Sequence, residues 1–312
     1  MRLSIIDLGT NTFNLLVAES DAADKLVIVH SEERAVFLGR GGIEQGMITD
    51  DAMERGLAVL RTFVDKSRAL GAERIIGFGT SALRNARNAQ DFTARAKRGS
   101  GVDITIIPGE EEAELILEGV RQAVPFTGKP MLVMDIGGGS IEFILATDKA
   151  LMWKRSFEIG ATRLLERFSP SDPLSIEEHF RIAAYLDARL EPLFAVMDRH
   201  WPNALVGSAG SFDTLAELVA ADRGGMLADN ERTMAFNTTE FDALRDRLIG
   251  STRAERAGMK AVPEYRVDTL ALALIAIERV LAQGIEELCW SKYALKEGAA
   301  LRALRGDGSS GR

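Results

Sequence analysis

The feature that most limits how this chain can fold occurs twice. Near the N-terminus, Leu3-Ser4-Ile5-Ile6-Asp7 runs into Leu8-Gly9-Thr10-Asn11-Thr12; further on, Met131-Leu132-Val133-Met134-Asp135 runs into Ile136-Gly137-Gly138-Gly139-Ser140. Each is an apolar run ending in aspartate, then glycine and hydroxyl residues. The segments directly after them, Thr12 to Ala18 and Ile141 to Ala146, alternate or run apolar as a second strand does. A dinucleotide fingerprint or a phosphate-binding loop of the Walker type would open a helix at that point instead. Both segments are therefore read as tight turns of β-hairpins. A single glycine turn is ordinary hairpin chemistry, but its repetition points to a duplicated unit with a shared task. Glycine lets backbone amides crowd an anion, a hydroxyl donates to its oxygens, and the carboxylate holds a cation that offsets phosphate charge. Each turn is read as half of a metal and phosphate clamp facing a common cleft.

With 312 residues, the chain exceeds the size at which one core usually stops growing, so two domains are expected. A net charge of −8 argues against nucleic acid or a membrane surface as partner. Cys289 is the one cysteine, which excludes a disulfide framework, fits a reducing compartment and is expected as a buried structural thiol. His30, His179 and His200 lie far apart without ligand spacing, so zinc is not expected. The N-terminus lacks the regions of a signal peptide, and the apolar stretch 270–277 is too short to cross a bilayer. A soluble cytoplasmic protein is the expectation.

After the first hairpin the pattern predicts a strand over 25–33, a helix from Thr49-Asp50-Asp51 to about Leu70, a strand over 73–79, a helix over 83–97, a strand over 102–107 and a helix over 110–122. The order then recurs, with strands at 131–135, 141–147, 150–158, 204–207 and 286–291 and extra helices inserted. Breaker residues at 125–130 mark the boundary. Domain I is read as 1–125 plus the last helix, 293–305, packed back onto it; domain II is 126–292. Residues 169–173 and 222–233 read as surface loops, either of which could form a lid. The tail 306–312 is expected to lack structure.

Phosphoryl transfer also needs a base to orient the nucleophile. In Pro108-Gly109-Glu110-Glu111-Glu112-Ala113-Glu114 a strand ends and carboxylates open a helix. Acidic residues there complement the helix dipole, and one of them could instead deprotonate a water aimed at phosphorus. Thr80-Ser81-Ala82-Leu83-Arg84 likewise joins a strand to a helix, where hydroxyls, amides and Arg84 could meet an anion together; alternatively Ser81 caps the helix while Arg84 and Arg87 are solvated. Gly207-Ser208-Ala209-Gly210-Ser211 comes after a strand and either receives phosphates or a ribose, or merely turns the chain into a helix.

Taken together, Asp7-Leu8-Gly9-Thr10-Asn11-Thr12, Thr80-Ser81-Ala82-Leu83-Arg84, Gly109-Glu110-Glu111-Glu112-Ala113 and Asp135-Ile136-Gly137-Gly138-Gly139-Ser140-Ile141-Glu142 resemble the exopolyphosphatase/guanosine pentaphosphate phosphatase family, and the resemblance runs from Met1 to about Leu304. It implies an α/β fold of two duplicated ribonuclease-H-like domains of the actin-like ATPase kind, with an interdomain cleft. Carried over by position, it implies Glu112 as general base, with Asp135, Glu142 and Asp7 as ligands of Mg²⁺ or water. It implies Gly9, Thr10, Asn11, Gly137, Gly138, Gly139 and Ser140 lining phosphates, Arg84 gripping the chain or stabilising transferred charge, and Gly207, Ser208, Ala209, Gly210 and Ser211 beside the substrate. The chain departs from the family pattern at Asn14 and Phe37, where arginine is common, although Arg40 stands nearby. It also lacks the C-terminal helical domain of longer members, so processive action on long chains is not expected.

The resulting expectation is a Mg²⁺-dependent phosphohydrolase acting on inorganic polyphosphate or guanosine pentaphosphate, as a homodimer. A regulator that binds guanosine pentaphosphate or tetraphosphate without hydrolysis, and a small-molecule kinase using ATP, are the alternatives.

Overall fold

Both repeated turns join antiparallel strands in the computed structural model, which describes residues 1–23 and 25–306. β1 (Arg2–Leu8) pairs with β2 (Thr12–Ser20), which pairs with β3 (Leu26–Ala35). The chain then forms α1 (Asp50–Ala69), β4 (Arg74–Gly79), α2 (Ser81–Asn85), α3 (Ala89–Ser100), β5 (Ile104–Ile106) and α4 (Gly109–Val120). The sheet order is β3-β2-β1-β4-β5, with β1, β4 and β5 parallel. Thr49 caps α1 by accepting from the amide of Ala52, as the Thr-Asp-Asp start signals. Phe13, Phe63 and Phe92 fill the space between sheet and helices and are fully buried.

The second copy has the same order. β6 (Met131–Ile136), β7 (Ile141–Ala146) and β8 (Leu151–Phe157) form the meander; α5 (Ala161–Phe168), α6 (Ile176–His200), β9 (Ala204–Ser208), α7 (Gly210–Asp222), β10 (Thr233–Asn237), α8 (Thr238–Ile249), α9 (Arg253–Gly258), α10 (Leu270–Leu281) and β11 (Glu287–Ser291) come after it. Its sheet runs β10-β11-β9-β6-β7-β8, with β6, β9 and β11 parallel. Every residue of β6 and β7 is buried, as befits central strands covered on both faces. This is the duplicated ribonuclease-H-like architecture of actin-like ATPases. The chain divides into Met1–Gly119 with Ala294–Arg312, and Val120–Tyr293.

The last helix, α11 (Leu295–Leu304), packs against β1 and β2 of the first unit. It meets α4 backbone to backbone: a Cβ on Gly298 would lie 1.8 Å from the carbonyl oxygen of Leu115, and one on Gly119 would lie 2.0 Å from that of Ala294. Arg302 locks the contact through Glu118 and Glu114. Gly298→Ala is therefore expected to destabilise the protein by about 2–4 kcal/mol, since backbone on both sides must move. Chemical denaturation would read the loss, and an unchanged midpoint would contradict this packing.

Three local expectations are corrected. The helix expected over 83–97 is two helices, α2 and α3, because Ala86 is extended and Asn88 is committed elsewhere. Its side chain accepts from the Ile48 amide at 2.9 Å and donates to the Ile48 carbonyl at 2.8 Å. Residue 233, expected to end a loop, begins β10, an edge strand in which only Phe236 is buried, so almost no alternation announces it. Cys289 is half-buried on β11, with Sγ 2.9 Å from Thr233 Oγ1 and its thiol pKa pushed up by burial. The expectation of an unstructured tail falls, Gly306 apart, outside the described residues.

Candidate active site

In the first unit, the parallel strands β1, β4 and β5 bring their carboxyl ends to one edge of the sheet, which is where open α/β sheets bind ligands. The turn 8–12, the Thr80 to Arg84 segment and the Glu110 to Glu112 turn all start from that edge. The Gly9 amide closes the hairpin on the Thr12 carbonyl at 3.1 Å, and a Cβ at Gly9 would lie 2.7 Å from that same oxygen. Glycine is thus obligatory there. The Asn11 carbonyl accepts from the amides of Val36 and Phe37, both at 2.8 Å, and the Thr10 carbonyl from Gly39 at 3.1 Å. Phe37 adopts a left-handed φ of 53° to do so, and its ring carries the Arg40 guanidinium 3.9 Å above its centre. The position where the family pattern has arginine thus supplies an amide to the turn and a platform for the neighbouring arginine.

Asp7 lies opposite Asn14 in the β1–β2 register, and Asn14 Nδ2 donates to Asp7 Oδ2 at 3.3 Å. Asp7 Oδ1 is buried without a hydrogen-bond partner among the described residues. Burial raises the carboxyl pKa to about 6, a rise that Lys296 and Asn14 oppose and Glu33 and Glu297 reinforce. A partly exposed carboxylate with one buried, unmatched oxygen is short of positive charge, which is the environment a cation would satisfy.

Glu112, buried in the first turn of α4, accepts from Arg84 Nη1 at 2.7 Å, and the same nitrogen donates to the Ile107 carbonyl at 3.1 Å. Arg84 is not solvated: it fastens the end of α2 to the β5–α4 turn. Ser81 does not cap α2, whose N-cap is Thr80, and the Thr80 hydroxyl donates to the Leu8 carbonyl at 3.4 Å and not to the helix; Ser81 is buried inside the helix. Arg87 does reach solvent and donates to the Gln45 carbonyl.

In the second unit, four neighbouring strands each contribute one residue to a single row, in the order Ser208, Asp135, Glu142, Ser156. Ser208 Oγ donates to Asp135 Oδ2 at 2.8 Å, and Ser156 Oγ donates to Glu142 Oε1 at 2.6 Å. Two buried carboxylates therefore stand side by side, each oriented by a hydroxyl from an outer strand. The Gly137 amide closes its hairpin on the Ser140 carbonyl at 3.0 Å, matching Gly9 and Thr12. The copies correspond chemically: Asp7 matches Asp135, and Asn14 matches Glu142.

The loop 207–211 is partly structural. A Cβ on Gly207 would lie 1.9 Å from the Phe212 ring, so that glycine makes room for core. Ala209, with φ 54° and ψ 178°, occupies a backbone region largely reserved for glycine. Such strain concentrates at ligand sites. Ser208, expected beside the substrate, donates to Asp135 and so orients it.

Asp7 belongs to the first unit, whereas Asp135 and Glu142 belong to the second. Among the described residues, no three side chains of the histidine, cysteine, aspartate or glutamate kinds group to hold a metal ion. The Asp135 and Glu142 pair within the second unit fits Mg²⁺, which keeps several waters and takes one or two protein carboxylates plus phosphate oxygens. Sequence reasoning missed Ser156, Lys296 and the segment just after β8, for which Gly160, just past the third strand of the second copy, was the available signal.

Residues 16–306 match the Ppx/GppA phosphatase family. The crystal structure of an exopolyphosphatase from Cytophaga hutchinsonii is similar with a TM-score of 0.95 and 38% identity, covering 98% of both chains. Exopolyphosphatase 2 of Mycobacterium tuberculosis is 31% identical over 318 residues, 96% of this chain and 98% of that one. The guanosine-5′-triphosphate,3′-diphosphate pyrophosphatase of Photobacterium profundum is 29% identical over 88% of this chain but 51% of its own length. With the match extending from the second strand of the first hairpin to the end of α11, the protein belongs to the Ppx/GppA phosphatase family.

Proposed function

We propose that the protein is a Mg²⁺-dependent phosphohydrolase that removes the terminal phosphate of inorganic polyphosphate or the 5′ γ-phosphate of guanosine pentaphosphate. The observation that carries this reading is the Glu112–Arg84 pair, at 2.7 Å, at the sheet edge that also bears the Asp7 turn. Glu112 takes a proton from water as the water oxygen bonds to the terminal phosphorus and the anhydride P–O bond breaks. The products are inorganic phosphate and a chain one phosphate shorter. Arg84 orients the base and steadies charge on the transferred group, while Thr10, Ser140 and the turn amides donate to phosphate oxygens. Asp7 with its unmatched oxygen, and separately the adjacent pair Asp135 and Glu142, are the carboxylates proposed as ligands of Mg²⁺, which would neutralise the leaving phosphate.

Polyphosphate is favoured as substrate by the relatives: the exopolyphosphatases match over nearly their full length, and the guanosine enzyme over 51% of its own. No helix among the described residues is long and apolar enough to cross a membrane. A homodimer working in the cytoplasm is part of the same proposal. Phosphate release with Mg²⁺ from short polyphosphate, long polyphosphate, guanosine pentaphosphate and ATP tests it. Release from short polyphosphate is the expected result. Tight binding of guanosine pentaphosphate with no release from any substrate would replace the phosphatase by a binding regulator.

A further inference from the structure

A run of three glycines is the least ordered backbone a chain can write, since each loses more conformational freedom on folding than any other residue. Gly137, Gly138 and Gly139 nevertheless sit in one conformation, and the reason lies in the segment after β8. All three carbonyls are bound by it. Gly137 accepts from the Ala161 amide at 3.0 Å; Gly138 accepts from Thr162 at 2.9 Å and from Arg163 at 3.1 Å; Gly139 accepts from Gly160 at 3.1 Å. Arg163 adds a side-chain bond, with Nε donating to the Gly139 carbonyl at 3.1 Å. Its guanidinium is held in turn by Glu158 Oε2, 3.1 Å from Nη2.

The first amides of a helix have no partner within it and ordinarily meet water, a cap or an anion. At α5 they meet the glycine loop, so this helix end is not itself an anion site. Its effect is to draw the loop's carbonyls to one side, leaving the loop's amides as the groups able to face a ligand. Gly160 allows this approach: a Cβ there would lie 2.5 Å from Gly138 and Gly139 backbone atoms. In the first unit, by comparison, the corresponding turn is held by the backbone amides of Val36, Phe37 and Gly39.

We infer that Arg163 is a positioning residue for the phosphate turn of the second unit, fixing the amides of Gly138, Gly139 and Ser140 through its bond to Gly139. This rests on the phosphatase reading for its kinetic consequence and on geometry alone for its structural one. Preorganised donors stabilise charge that develops in the transition state, so loosening the turn lowers kcat while leaving KM nearly unchanged. Arg163→Lys keeps the stem and charge but cannot bond Gly139 and Glu158 at once in the guanidinium's geometry.

The test pairs hydrogen exchange with kinetics, using the full chain and the variants Arg163→Ala and Arg163→Lys. Exchange across 136–141, read by mass spectrometry, is expected to quicken by about 10-fold or more in Arg163→Ala while other segments keep their protection. With short polyphosphate, kcat is expected to fall by about 100-fold with KM within about threefold, a loss of the size that misplacement by an ångström produces. Arg163→Lys is expected to behave as the alanine variant does. Unchanged exchange in the turn of either folded variant overturns the inference even if no substrate is ever turned over. So does a rise in KM at constant kcat, which would make Arg163 a substrate grip, or full rescue by lysine. Absence of turnover in the wild-type protein beside quickened exchange would sink only the phosphatase reading.

Discussion

Glu112→Gln is expected to lower phosphate release by about 10²- to 10⁴-fold, the range general base catalysis supplies, while the folded state persists. Glutamine keeps the shape of the side chain and an oxygen able to accept from Arg84, so the link between α2 and the β5–α4 turn survives. What it loses is the capacity to take a proton from water. The competing account treats Glu112 as one of three acidic residues complementing the dipole of α4. On that account the change costs about 0.3–1 kcal/mol of stability and no activity. Initial rates on short polyphosphate beside a thermal melt separate the two, and activity within a few-fold of wild type would remove Glu112 from the mechanism. Arg84→Ala is a poorer probe, because it strands a buried carboxylate, a change that costs about 3–5 kcal/mol in other proteins.

Asp7→Asn is expected to raise stability and lower activity together. In the metal-free protein the Asp7 carboxyl has its pKa raised by burial from 3.8 to about 6. A raised carboxyl pKa means that the folded protein binds the proton more tightly than the unfolded chain. Below the unfolded value both states are protonated and Asp7 has no effect. As pH climbs from about 4 to about 6 the unfolded chain releases its proton first, and stability falls; above that window the penalty is complete. Two pKa units correspond to about 3 kcal/mol, which solvent at this partly exposed residue reduces to about 1–3 kcal/mol. Asparagine removes the penalty, so the variant should melt higher than wild type at about pH 8 and at the same temperature at about pH 3.5. Phosphate release should drop by about 100-fold or more, as for loss of a group that neutralises phosphate charge. A lower melting temperature at the alkaline pH would show that Asp7 is a structural acceptor for Asn14 and not a group kept short of positive charge.

Legibility from sequence tracked the range of the interactions concerned. The two hairpin turns could be read because a glycine whose Cβ would strike the carbonyl three residues on leaves a local mark, as at Gly9 and Thr12. Glu142 was reached through the family resemblance alone; in the structure the hairpin's register sets it opposite Asp135 on one face. Ser156 and Ser208 complete that row from strands whose register no turn near Asp135 determines. The break between α2 and α3 was hidden because Asn88 binds the backbone of Ile48, 40 residues earlier in the chain.

The sequence by itself determined the duplicated hairpins, the alternation of strands and helices that completes each copy, and the residue types able to carry phosphate chemistry, because each rests on periodicity or on steric limits within a few residues. Only the tertiary structure decided that Arg84 fastens Glu112, that Ser208 orients Asp135, that Asp7 keeps an unmatched buried oxygen, and that α5 holds the glycine loop. Three of those are hydrogen bonds between groups remote in the chain and the fourth is an oxygen left without one among the described residues, and all four follow from how strands and helices stack, which no local pattern encodes.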